Sequence, residues 1–151
     1  MPAERLSLHI KDEVEGNALR LVIREIMDSC FDPGYTQRWY AHQPCHLWYI
    51  MEGRAHVGVE GKIDLAVPGD VYYIPPWMEH YLAMPGPGPC RIFDVKFDLE
   101  GSVRECSLTR PLKLHDEFGV RHLVERMLSE AGRRPPAWET SVRGLFNEIV
   151  G

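Results

Sequence analysis

Residues 46–82, HLWYIMEGRAHVGVEGKIDLAVPGDVYYIPPWMEHYL, break into four short apolar or alternating runs divided by turn residues, and their reading decides the fold. Glu60-Gly61 stands between two alternating runs as a hairpin turn, which sets Val57 and Val59 opposite Ile63, Leu65 and Val67 as a buried set. Pro68-Gly69-Asp70 makes the next turn, ahead of the β-rich VYYIPP.

The same pattern continues outward. Upstream, LRLVIREIM (residues 19–27) alternates as a strand with Leu19, Leu21, Ile23 and Met27 on one side, a short amphipathic helix being the other reading. Downstream, the loop AMPGPGPC leads into RIFDVKFDL (residues 91–99), where Phe93, Val95 and Phe97 alternate with Ile92, Asp94 and Lys96. Short strands at regular spacing predict a mostly β sandwich or barrel.

The period changes near Asp116. FGVRHLVERMLSEAG carries Val120, Leu123, Val124, Met127, Leu128 and Ala131 at helical spacing and stops at Gly132. After RRPP, AWETSVRGLFNEIV repeats the stripe with Trp138, Val142, Leu145, Phe146 and Ile149. The division expected is therefore a β-barrel over residues 1–115 and a helical segment over 116–151. Its stripes either pack on the sheet and on each other or join two subunits.

Composition bounds the function. The chain has 151 residues, enough for one domain with a full core, and 44% hydrophobic with 26% charged residues places it among globular proteins. A net charge of −5, from 17 basic and 22 acidic residues, disfavours direct binding to a phosphate backbone. No apolar run approaches the roughly 20 residues of a membrane helix. The charged N-terminus lacks a secretory h-region, so the expected location is cytoplasmic, away from membranes. Cys30, Cys45, Cys90 and Cys106 form no CxxC pair and read as buried reduced thiols.

The chemistry concentrates in WYAHQPCHLWYIMEG (residues 39–53), with His42 and His46 four positions apart, and in His80 after Pro75-Pro76. Three imidazoles from adjacent strands hold a divalent ion such as zinc, nickel or iron with positions left open, or they hydrogen-bond an organic ligand without metal. Alternation sets His46 with Trp48 and Ile50, and His42 with Tyr40 and Arg38. His9, His56, His115 and His122 lack such a setting.

The order of strand, Glu-Gly turn, strand, Pro-Gly-Asp, aromatic strand, Pro-Pro and histidine resembles the cupin superfamily. Counted back from Gly53, the first cupin motif places His46 at its glutamate, His42 at its second histidine and Tyr40 at its first; the second motif meets Gly69, Pro75, Trp77 in place of glycine, and His80. Within cupins, residues 35–150 are similar to the N-terminal sensor domain of AraC-type bacterial transcription regulators. That resemblance implies a jelly-roll barrel followed by two α-helices and a small-molecule effector, a sugar or similar metabolite, in the barrel mouth. It also implies a homodimer joined through the helices, and DNA contact only through a further domain beyond Gly151. The expected ligand contacts are Arg38, Tyr40, His42, His46, Trp48, Tyr73, Glu79 and His80, and the expected metal ligands His42, His46 and His80. No catalytic residue is expected under this reading. The alternative is a stand-alone metal-dependent cupin of dioxygenase type.

Overall fold

The computed structural model describes residues 5–8, 13–14, 19–101, 110–116, 119–137, 139–142 and 144–145. Two antiparallel sheets face each other. The larger holds β1 (Arg5–Leu8), β3 (Leu19–Phe31), β10 (Cys90–Gly101), β5 (Cys45–Glu52), β8 (Asp70–Ile74) and β11 (Leu112–His115) in that order, with β2 (Glu13–Val14) also paired to β3. The smaller runs β4 (Thr36–Tyr40), β9 (His80–Ala83), β6 (Ala55–Val59), β7 (Lys62–Ala66). This is a jelly roll of mostly β structure, followed by helix α1 (Val120–Arg133) and a second helical stretch at residues 139–142 and 144–145.

Cys45 to Met51 are all buried because β5 lies mid-sheet with both of its faces covered. Its inner side, Trp48 and Ile50, joins Val57, Tyr72, Ile74 and Leu82 between the sheets. Its outer side, Leu47, Tyr49 and Met51, joins Phe93, Val95 and Phe97 under Val124, Met127 and Ala131 of α1. Each such large apolar side chain contributes about 1.5–3 kcal/mol on burial. The helical stripe thus packs on the sheet, together with the buried Val142 and Leu145; Trp138, Phe146 and Ile149 lie outside the described residues.

Local signals account for the turns. Glu60 and Gly61 have φ of 54° and 79°, the pair of positive values a tight twisted hairpin needs. Gly53 has φ 77°, and a Cβ there would collide with the Pro89 carbonyl, so both backbone conformation and space require glycine.

Three expectations are corrected. Ile63 and Leu65 are 53% and 47% exposed, because β7 is an edge strand and Val57 pairs with Asp64, and Val67, just past the strand, is 36% exposed. Met27 does not share a side with Ile23: the pairing of β3 with β10 skips Arg24, and this bulge turns Met27 to the inner face while Ile23 stays in the outer cluster. Helix α1 passes Gly132 and ends at Arg133, where Arg134, at φ 50°, returns its N–H to the Glu130 carbonyl.

Candidate metal and ligand site

His42 sits in the loop between β4 and β5, His46 is the second residue of β5, and His80 opens β9. The Gln43-Pro44 bend lies between the first two, whose Nε2 atoms are 2.6 Å from each other. The His80 ring lies 4.9 Å from that of His46 and 5.1 Å from that of His42, centroid to centroid. One ligand nitrogen from each ring falls within 4.8 Å of the others. The Trp77 N–H donates to the His42 carbonyl at 2.9 Å and ties the β8–β9 loop to this group.

The outer nitrogens are already engaged. His46 Nδ1 contacts the Asp94 carboxylate at 2.8 Å and His80 Nδ1 contacts the Met78 carbonyl at 2.9 Å. Both partners are acceptors, so each ring carries a proton on Nδ1 and aims its Nε2 at the cluster, the orientation a metal requires; at 2.6 Å the Nε2 atoms of His42 and His46 share a proton that a bound ion would displace. His80 Nε2 is buried with no hydrogen-bond partner among the described residues. Burial first, then the neighbouring rings, pushes His42 down to about 4, and burial pushes His80 down to about 4. Both are neutral near pH 7 and available as ligands. These residues fit a divalent ion, which when bound would supply Lewis-acid or, for iron, redox chemistry.

A cavity of about 340 Å³ adjoins the cluster and shares His46 with it. Its walls come from Met27, Ser29 and Phe31 of β3, Trp48 of β5, and Ile92, Asp94 and Lys96 of β10. From the smaller sheet come Gln37, Tyr40 and Leu82.

Of the expected contacts, His42, His46 and His80 converge, Trp48 and Tyr40 line the cavity, and the Tyr40 ring lies 4.4 Å from that of His80. The other three lie elsewhere. Arg38 is exposed, because β4 carries an extra residue between Gln37 and Tyr40 in its pairing with β9, so that Gln37 takes the inward position. Tyr73 points to the outer cluster, where its hydroxyl donates to Cys45 Sγ at 3.6 Å and its ring packs on Phe97. Glu79 is exposed. His56 and His122 are exposed, His115 contacts Asp70, and His9 lies outside the described residues. Asp94, Gln37 and Lys96 were missed as site residues, although the alternation of β10 already set Asp94 and Lys96 opposite Phe93 and Val95.

A jelly roll with imidazoles converging between its sheets is the arrangement of the cupin fold. Residues 27–96 match the family model Cupin_2, described as a cupin domain. The solved structure of YhaK from Escherichia coli superposes with a TM-score of 0.60 at 17% identity, over 77% of this chain and 52% of that one, which supports the fold. An RmlC-like cupin from Shewanella frigidimarina aligns at 22% identity and a TM-score of 0.45, over 63% of this chain and 87% of that one. A predicted oxalate decarboxylase from Thermotoga maritima aligns at 17% and 0.48, over 62% and 90%. No described helix is long and apolar enough to cross a membrane.

Proposed function

We propose that this cupin-type domain is a small-molecule sensor. A divalent ion on His42, His46 and His80 and an effector in the adjoining cavity bias the docking of the C-terminal helices, as in the sensor domain of an AraC-type transcription regulator. The observation that carries the reading is the double use of β5. Its inner face supplies His46 and Trp48, while on its outer face the Tyr49 hydroxyl donates to Asp116 at 2.6 Å and the Met51 carbonyl accepts from Arg121 Nη1 at 2.9 Å. A ligand that repositions His46 or Trp48 therefore acts on the strand that fastens α1. The helices shift only as far as the ligand's affinity differs between the two arrangements. Under the same reading the helical segment pairs two subunits, and DNA contact belongs to a separate domain.

The test is hydrogen exchange across residues 120–133 of the whole chain, with and without saturating zinc, nickel or iron(II). Slower exchange in α1 on binding supports transmission through β5. Bound metal with unchanged exchange in α1 counts against a sensor.

A second reading, a metal-dependent cupin enzyme of dioxygenase type, is favoured by the three converging imidazoles next to a cavity. His42, His46 and His80 would hold iron(II), and Asp94 would keep the His46 ring oriented. Sustained oxygen consumption by the iron-loaded chain with oxidisable small molecules would favour it over the sensor.

A further inference from the structure

We infer that the cavity selects a small carboxylate with an apolar tail rather than a neutral polyol, an inference that rests on the metal reading above. The first observation is an excess of buried donors. Trp48 is 3% exposed, and its Nε1–H has no acceptor among the described residues. The Gln37 Nε2 is also buried without a partner among the described residues, and both side chains line the cavity. An indole N–H can only donate, and a buried donor left without an acceptor costs about 1–3 kcal/mol, so an acceptor-rich ligand is favoured there.

The second observation is charge. Imidazole binds a metal as an uncharged ligand, so three of them would leave the 2+ charge of a bound ion uncompensated. Asp94 is engaged by His46, and Lys96 adds a cation to the same wall, shared with Glu25 at 3.7 Å. An anionic oxygen ligand offsets that charge, while a neutral sugar does not.

The third observation is shape. Met27, Phe31 and Leu82 line the cavity beside these donors, and its volume is at the small end of the roughly 300–1,000 Å³ of ligand sites. The carboxylate accepts from Trp48 and Gln37 with Lys96 nearby, and the tail packs against the apolar side chains.

Calorimetry on the full chain loaded with cobalt(II) tests this, using near-isosteric pairs: hexanoate against hexanamide and benzoate against benzamide, with D-glucose as the polyol. The acids are expected to bind at least tenfold more tightly than their amides and than glucose. Trp48→Phe and Lys96→Met, each corrected for bound cobalt, are expected to weaken acid binding about tenfold. Amides or glucose binding as well as the acids would overturn the inference, as would acid binding unchanged in Lys96→Met, which serves if Trp48→Phe does not fold. Cobalt content is read first, so a failure of the metal site registers separately. The same titrations on metal-free chain then decide: acid preference that depends on Lys96 sustains the inference, and its absence overturns it.

Discussion

The Tyr49 hydroxyl donates to the Asp116 carboxylate at 2.6 Å, and the same carboxylate accepts the N–H groups of Val120 and Arg121 at 2.9 and 2.8 Å. One side chain thus caps α1 and fastens it to the barrel, a task Gly119 at the helix start has no side chain to perform. Asp116→Ala is expected to cost about 2–4 kcal/mol, a lost cap plus a charge-assisted hydrogen bond, and Tyr49→Phe about 1.5 kcal/mol. Urea unfolding measures both. Wild-type stability in Asp116→Ala would mean that the apolar stripe alone holds the helix.

The contact between Asp94 and His46 holds the ring at its Nδ1, away from the nitrogen that would face a bound ion. Asp94→Ala is expected to weaken zinc binding about 10–100-fold, the usual effect of losing such a partner. His46→Ala combined with His80→Ala is expected to abolish bound metal while the β circular-dichroism spectrum persists. Competition against a chromophoric chelator reads the first and elemental analysis the second. Metal content unchanged in the double variant would remove the site.

Trp77 stands where the resemblance to the second cupin motif leads one to expect glycine, and its φ is 61°, in the region glycine favours. Its side chain is 68% exposed. Left-handed backbone costs a non-glycine residue about 1–2 kcal/mol, partly offset by the greater unfolded-state freedom of glycine, so Trp77→Gly is expected to stabilise the fold by about 0.5 kcal/mol. The change keeps the N–H that bonds the His42 carbonyl. A lower urea midpoint in this variant would show that the indole supplies contacts outweighing the strain.

The buried thiols predict an alkaline limit. Burial pushes Cys45 up to about 11 and Cys90 up to about 12, from 9.0. Above pH 9 the unfolded chain loses these protons while the folded chain keeps them. Stability therefore falls as pH rises from 9 toward 11, and it is fully present below 9. Burial raises Tyr49 and Tyr72 as well, which adds in the same direction. Urea midpoints at pH 8 and pH 10 under reducing conditions check this; equal midpoints would mean that the folded chain accommodates the thiolates.

Much of the architecture was legible in the chain because it is written in periodicity. Alternation over residues 46–82 and 91–99 marked the strands, Glu60-Gly61 the hairpin, and the spacing of Val124, Met127 and Ala131 the helix face. The histidines were legible as residue types at motif positions. What the sequence could not supply was the face each side chain takes once strands bulge. A single extra residue in β4 exchanges Arg38 for Gln37, and the skipped Arg24 turns Met27 inward.

The sequence by itself determined the mostly β order, the turns and the amphipathic helices, since each depends on residues near one another in the chain, and it offered His42, His46 and His80 as residue types at motif positions. Only the tertiary structure decided that Asp94 orients His46, that Tyr73 belongs to the outer core, that Ile63 and Leu65 lie on an edge strand, and that β5 serves the site on one face and α1 on the other. Those relationships join residues 48 to 67 positions apart or depend on neighbouring strands, and pairing register, rather than local pattern, sets them.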